Sequence, residues 1–139
     1  MKKYELIEHT ADLAIRVYGP SLETLFINSA QAMFEQLINV LPPVEKKRNV
    51  FLQSDTNEDL LVYWLNELLS IFYTYYFIPR SYRIEISGKE IKTLQAAIEG
   101  NYCEVKEGCM KAEIKAATYH AIKIKHTNNH YEVDIIFDV

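Results

Sequence analysis

The sequence has little cysteine, glycine or proline, and it has no excess of positive charge. Its 139 residues include two cysteines, four glycines and four prolines, and 15 Lys and Arg stand against 19 Asp and Glu. Two cysteines in a chain of this length do not make a disulfide framework, and the spacing of Cys103 and Cys109 is not that of a zinc knuckle. A reducing cytosol is therefore the compartment we expect.

The sequence also shows no pattern typical of a targeting signal or of a membrane-spanning segment. The N-terminus carries Lys2 and Lys3 but no apolar core of a signal peptide. The longest apolar segment, 60–78, is interrupted by Asn66 and Glu67, which predicts a buried helix rather than a membrane span. The net charge of −4 argues against strong independent nucleic-acid binding, because proteins that neutralise phosphates are usually basic. We therefore expect a cytoplasmic protein without a membrane partner.

The amino-acid composition is that of an ordinary globular protein. Hydrophobic residues make up 49% of the chain and charged residues 24%, which is the usual balance of a folded domain. A chain of this length can bury one sizeable core. The sequence contains no repeat, no low-complexity tract and no flexible linker, so residues 1–139 are predicted to form a single domain.

Two segments have the spacing of amphipathic helices. The first has Ser21 as a predicted N-cap and ends near Asn39. The second begins near Thr56, which forms a capping-box pattern with Asp59, and we expect it to end at Pro79. Apolar residues occupy nearly every face of the second helix, which predicts that it is the central packing element of the domain.

The other periodic segments alternate in the way that strands do. Hairpin turns are predicted at Ser87-Gly88-Lys89 and at Asn128-Asn129, where asparagine tolerates a positive φ. Strands in groups with two helices between them predict an α+β fold, in which an antiparallel or mixed β-sheet layer carries two main helices packed on it. The predicted strands are 44–53, 82–86, 91–98, 111–115, 121–125 and 131–137.

Four polar features remain once the core positions are assigned. They are His9-Thr10-Ala11-Asp12 between two apolar stretches, Asn66-Glu67 inside the apolar helix, the segment 115–120, and Asp138 next to the terminal Val139. An aspartate beside a terminal carboxylate concentrates the oxygen ligands that hard cations prefer. A solvated terminus is the simpler interpretation, and the residues alone leave both open.

The histidines and the helical glutamate also allow more than one interpretation. His9 and Asp12 suit a catalytic pair, a set of metal ligands, or a bend whose side chains bond the local backbone. His120 is either structural or a titratable switch. Glu67 needs a donor or a cation if it is buried, and otherwise lies on a wetted stripe of its helix. No catalytic residue is assigned, because the sequence has no glycine-rich phosphate loop and no GxSxG, HExxH or EF-hand motif.

In chain order, four motifs resemble the archease family. The first is HTADLAI from His9 to Ile15, followed by a glycine and the first helix. The others are LLVYWLNELL at 60–69, KAATYH at 115–120 and the ending FDV at 137–139. The resemblance runs from His9 to the last residue, which is nearly the whole chain.

This resemblance implies a specific activity. Archeases are small cytoplasmic α+β proteins that are not enzymes themselves but activate an RtcB-type tRNA-splicing RNA ligase, by promoting its guanylylation and its multiple turnover. The family binds a divalent cation, described as calcium. Carried over to this chain, the metal ligands are Asp12, Asp138 and Val139. The residues expected to surround them as a functional rim are His9, Lys115 and His120.

Two other functions stay open on the residues alone. One is a stand-alone metal-dependent phosphoester hydrolase that uses His9, Asp12 and His120 as ligands or acid–base groups. The other is a metal-stabilised chaperone or interaction module. The chain departs from the family pattern at 100–110, where no motif aligns, and at Ala117, where a bulkier residue is common. Neither departure involves the expected ligands.

Overall fold

A computed structural model describes residues 2–10, 12–104 and 106–139, and Ala11 of the HTAD motif lies outside the described residues. The fold is α+β, as predicted, with two antiparallel sheets and two long helices. In chain order the elements are β1 (Tyr4–Ile7), β2 (Leu13–Gly19), α1 (Leu22–Leu37), β3 (Lys46–Ser54), α2 (Asn57–Tyr75), β4 (Phe77–Ser87), β5 (Lys92–Tyr102), α3 (Lys106–Cys109), β6 (Ala116–Ala117), β7 (Lys125–Thr127) and β8 (His130–Asp138).

The last strand lies inside the larger sheet. The order there is β1-β2-β8-β6, and β7 also pairs with β8. The pairing of β2 with β8 is antiparallel and runs without interruption from Leu13 opposite Phe137 to Gly19 opposite Tyr131. The smaller sheet has the order β3-β5-β4. Strands β1 and β4 are therefore edge strands of two different sheets, and α1 contacts both of them.

Both long helices begin where the sequence predicts. The Ser21 side chain accepts a hydrogen bond from the Thr24 amide at 3.1 Å, and the Thr56 side chain accepts one from the Asp59 amide at 3.0 Å. Each bond satisfies one of the amides that a helix start leaves without a helical partner. Among the described residues, no helix is long and apolar enough to cross a membrane.

The second helix is central to the core, as its composition predicts. Its fully buried Trp64 donates a hydrogen bond from Nε1 to the Phe26 carbonyl at 3.0 Å, which joins α2 to α1. One continuous cluster of buried side chains links both helices to both sheets. The fully buried aromatic side chains of this cluster are Trp64, Phe26, Phe72, Phe77 and Phe137.

The prediction that Pro79 ends the second helix is wrong. The helix ends at Tyr75, because Tyr76 has a left-handed φ of 61° and its amide caps the Phe72 carbonyl at 2.7 Å. Strand β4 begins at once, and Pro79 lies within it. Proline is tolerated there because β4 is an edge strand and its register shifts between Pro79 and Ser81, as in a β-bulge.

Two of the shorter strand predictions are also wrong. The segment 111–115 is not a strand, and the pairing begins at Ala116 instead. Segment 121–125 reaches the sheet only at Lys125, because Ala121 has a positive φ of 53° that breaks extended structure. Both predicted hairpin turns are confirmed, with φ of 104° at Gly88 and 42° at Asn128.

The two cysteines are joined in the structure, which their spacing does not predict. Cys103 and Cys109 form a disulfide whose Cα atoms are 6.6 Å apart. The linked segment is attached to the end of α1, because the Asn39 amide donates to the Cys109 carbonyl and the Lys111 amide donates to the Leu37 carbonyl, each at 2.9 Å. The bridge therefore closes a short loop against the first helix.

Replacing the buried tryptophan tests the link between the helices. We expect Trp64→Phe to lower the free energy of unfolding by about 2 kcal/mol, because the change removes a buried hydrogen bond and leaves space in the core. Tyr75→Phe on the same helix is the control, because Tyr75 is half exposed and keeps its ring. Urea denaturation measures both, and equal stability of the two variants would contradict this account.

Candidate functional site

Residues from the two ends of the chain meet at one end of the larger sheet. Leu13, the first residue of β2, pairs with Phe137 near the end of β8. Asp12 directly precedes Leu13 and Asp138 directly follows Phe137, so two of the three predicted metal ligands flank the last pair of this ladder.

The other side of Asp138 is occupied by the KAATYH segment. Ala116 pairs with Asp138 in the register of β6 and β8. The Lys115 amide donates a hydrogen bond to the Asp138 carbonyl at 2.7 Å. Val139 follows directly and is 44% exposed, so the end of the chain is accessible to a ligand or a partner.

The two predicted histidines lie close to each other at this end of the sheet. His9 Nδ1 is 3.5 Å from Asp12 Oδ2, and the two side chains are 34% and 37% exposed. The His9 and His120 rings meet edge to face, with centroids 6.2 Å apart. We call the six residues of this region the carboxylate rim: His9, Asp12, Lys115, His120, Asp138 and Val139.

The second helix holds the KAATYH segment in place. Asn66 donates from Nδ2 to the Ala117 carbonyl at 3.1 Å and accepts from the Ala117 amide at 2.8 Å. Two turns later on the same helix, the Tyr73 hydroxyl donates to the Ile114 carbonyl at 2.8 Å and accepts from the Ile114 amide at 3.2 Å. Two side chains of α2 thus take the place of a neighbouring strand beside residues 114–117.

Thr118 fixes the turn that carries His120. Its hydroxyl donates to the Ile136 carbonyl at 2.8 Å and accepts from the His120 amide at 3.4 Å. The Thr118 amide also donates to the Ile136 carbonyl at 3.0 Å. The position of His120 therefore depends on the last strand, as the position of Lys115 does.

The chemistry of the rim suits a hard cation better than a soft one. Asp12, Asp138 and the terminal carboxylate of Val139 offer only oxygen atoms, which calcium and magnesium prefer. Within the described residues, the Asp138 carboxylate takes part in no ion pair, so its charge is left for another cation. Among all the residues that the structure describes, no group of three His, Cys, Asp or Glu side chains is arranged to hold a metal ion. The role of these three residues as ligands stays a prediction.

A shallow cavity of about 600 Å³ opens next to the rim. It is formed by the end of β1, the HTAD loop and the beginning of β2, so His9 and Asp12 line it. Two exposed tyrosines, Tyr63 and Tyr119, lie on the neighbouring surface with ring centroids 6.4 Å apart. Charged groups of the rim and these two tyrosines beside it are therefore available for contact.

The sequence does not identify several residues that organise this region. Asn66 stands out as a polar residue in an apolar helix, but the sequence does not predict its bonds to Ala117. The seven-residue spacing of Asn66 and Tyr73 was the available signal, because it places both on one helical face. Glu67 is half-buried, which fits the wetted stripe rather than an enclosed carboxylate.

Fold and rim together define a class: a two-sheet α+β protein whose last strand ends in a group of carboxylates beside a histidine-containing loop. Residues 4–139 match the model of the Archease protein family. The chain belongs to the archease family.

Individual archeases are similar along nearly their whole length. A protein archease from Methanosarcina barkeri is 34% identical over 143 residues, which cover 99% of this chain and 97% of that protein. One from Pyrococcus abyssi is 39% identical over 128 residues, covering 90% and 89%. The solution structure of Methanobacterium thermoautotrophicum protein 1598 superposes with a TM-score of 0.85 at 32% identity and covers all of both chains. The crystal structure of an archease from Thermotoga maritima, at 23% identity and a TM-score of 0.66 over 96% and 94% of the chains, shares the fold.

Removing the two hydrogen bonds between Asn66 and Ala117 tests how the segment beside the rim is held in place. We expect Asn66→Ala to destabilise the protein by about 1–3 kcal/mol, because two backbone groups of Ala117 lose their partner. Amide hydrogen exchange at Ala117 should accelerate by more than the change in global stability explains. Ser70→Ala, an exposed polar position on the same helix, is the matched control. An unchanged exchange rate at Ala117 would show that the Asn66 side chain does not hold this segment in place.

Proposed function

We propose that this chain is a non-catalytic accessory protein that activates an RtcB-type tRNA-splicing RNA ligase, by promoting guanylylation and multiple turnover. Membership of the archease family supports the proposal. The observation that supports it most is the strand register, which pairs Leu13, the neighbour of Asp12, with Phe137, the neighbour of Asp138. A cytoplasmic location fits this role.

The three oxygen-bearing residues would hold a divalent cation, calcium in this proposal. Asp12 comes from the first third of the chain, and Asp138 and Val139 come from its end. When bound, the cation supplies the positive charge that three neighbouring carboxylates need. His9 orients the Asp12 carboxylate from 3.5 Å, and Lys115 fixes the Asp138 backbone. The ligands would then form one rigid unit at the rim.

The rim would act by entering the active site of the ligase. Its exposed acidic and imidazole groups are suited to ordering the metals, the nucleotide and the nucleophile of a partner enzyme. The chain itself carries a net charge of −4, so the ligase rather than this protein would hold the RNA. The His9 and His120 rings, which meet edge to face, add two imidazole groups to this surface.

A metal-stabilised chaperone is the second candidate. The Thermotoga maritima relative is described as a possible chaperone, and the accessible tyrosines Tyr63 and Tyr119 would suit contact with another protein. In this case the cation would only fix the end of the chain. Activation of a ligase would then survive substitutions that abolish cation binding. A phosphoester hydrolase would instead show activity without any ligase.

Substitution of the two aspartates tests the accessory role. We expect Asp12→Asn and Asp138→Asn each to reduce stimulation of ligase guanylylation and turnover by at least about tenfold, equivalent to about 1.4 kcal/mol of transition-state stabilisation. The assay compares single-turnover and multiple-turnover ligation by an RtcB-type ligase. Asp55→Asn is the control, because Asp55 is exposed and the change in charge is the same. Full stimulation by both rim variants would refute a role for the rim.

Calcium titration tests the metal site separately. Calcium at about 100 times its Kd should stabilise the wild-type protein by about 2.7 kcal/mol, because only the folded state holds the site. The stabilisation should disappear in Asp12→Asn and Asp138→Asn and persist in Asp55→Asn. Thermal unfolding with and without a chelator measures it, on protein tagged at the N-terminus so that Val139 stays the last residue. Equal shifts in all four proteins would place the cation elsewhere.

A further inference from the structure

A second groove lies between the edges of the two sheets, apart from the carboxylate rim. It has a volume of about 650 Å³, which is in the range of ligand-binding sites. One wall is the start of β1, including Lys3 and Tyr4, and the other is β4 around Arg80. The C-terminal half of α1 forms the floor. None of its lining residues belongs to the cavity beside the rim.

Both walls of the groove are strand edges without a partner strand among the described residues. The Lys3 carbonyl accepts a hydrogen bond from the Tyr18 amide at 2.9 Å, so Lys3 faces β2. Because successive residues of an edge strand alternate in direction, the amide and carbonyl of Tyr4 point away from the sheet. On the other wall, Arg80 lies in the β-bulge and has no register partner on β5. Extended backbone can pair with such an edge.

The groove is positively charged on a protein that is acidic overall. Lys3, Arg80 and Lys111 line it, and in the described part of the chain none of the three forms an ion pair. Lys3 donates to the Gln31 side chain and Arg80 to the Pro42 carbonyl, both neutral acceptors. The one carboxylate of the groove, Glu35, accepts a hydrogen bond from the Tyr4 hydroxyl. Three positively charged side chains therefore line the groove together with one carboxylate, which already accepts a hydrogen bond.

The groove also offers an apolar contact. Phe34 and Ile38 are buried beneath it, and Leu41 at its mouth is 74% exposed. Burial raises the pKa of Tyr4 to about 12, so its hydroxyl stays neutral and remains a hydrogen-bond donor at physiological pH. A ligand that fills the groove would combine negative charge with an apolar side chain.

An extended peptide fits these features better than a nucleotide does. Phosphate groups favour glycine-rich loops and helix N-termini, and this groove has neither. The cations Lys3, Arg80 and Lys111 are exposed side chains at the margins, where carboxylates spread along a chain would reach them.

We propose that this groove docks an extended acidic segment of a partner protein, which pairs with the free edge of β1 and places its carboxylates against Lys3, Arg80 and Lys111. An apolar side chain of the segment packs on the exposed Leu41 at the mouth of the groove. Main-chain hydrogen bonds would give affinity, and the cations would give the preference for acidic sequence. The site stands independently of the carboxylate rim, so either can fail without the other.

A fluorescent peptide of alternating glutamate and valine tests the groove by anisotropy. We expect it to bind the wild-type protein, and Arg80→Glu/Lys111→Glu to weaken binding at least about tenfold. Lys47→Glu/Lys89→Glu is the matched control, because both lysines are exposed outside the groove and the change in net charge is identical. Thermal unfolding confirms that both variants fold. Ligase stimulation is measured alongside, to separate this site from the rim.

Two further probes distinguish the kind of ligand. The same peptide with alternate backbone amides methylated should bind much more weakly, because it cannot pair with the edge of β1. Inorganic triphosphate should compete poorly at physiological salt. The proposal is overturned if the wild-type protein does not bind the peptide, or if the two double variants weaken it equally. Undiminished binding of the methylated peptide, or preferential binding of triphosphate, also overturns it.

Discussion

The antiparallel pairing of β8 with β2 is the constraint on which the rest of the molecule depends. It buries Val133, Ile135 and Phe137 in the core while it fixes Arg16 opposite Asp134, whose side chains form a two-point ion pair at 2.7 and 3.1 Å. Because side chains alternate along a strand, a shift by one residue would exchange buried and exposed positions throughout β8. The same register pairs Leu13 with Phe137, the neighbours of Asp12 and Asp138. Core packing and rim geometry are therefore one constraint, and a cation at the rim would only reinforce an arrangement that hydrophobic burial already specifies.

The helices were predictable because their signals are local. Apolar spacing and the side chains of Ser21 and Thr56 define where α1 and α2 begin, and neither depends on distant residues. Strand boundaries depend on partners. Segment 111–115 alternates as well as many strands do, yet α2 supplies hydrogen bonds to Ile114 and Ala117 through side chains instead of a strand. The error at Pro79 has the same origin, since only the edge position of β4 makes a proline acceptable there.

The candidate site also combines residues that the sequence can mark with contacts that only the folded structure reveals. Family motifs mark the six residues of the rim, and their role as a site stays a prediction. They are His9, Asp12, Lys115, His120, Asp138 and Val139. The contacts that hold this region are not predictable, because Asn66, Tyr73 and Thr118 bond backbone groups far away in the chain. The spacing of Asn66 and Tyr73 indicates only that they share a helical face. No pattern in the sequence predicts the groove between β1 and β4. Its three cations, Lys3, Arg80 and Lys111, come from unrelated segments and share no motif.

The central position of the last strand has a consequence for how the protein reaches its fold. The chain must be synthesised through both helices and the whole smaller sheet before β8 exists to occupy the place between β2 and β6. Until then β2 has β1 on one side but lacks its other neighbour, so the backbone groups of its open edge are unpaired. Closing so long a loop is slow compared with helix formation, because its entropy is lost before the long-range contacts form. A nascent chain thus passes through a state in which only β1 and β2 of the larger sheet are present, and their open edge is exposed to aggregation.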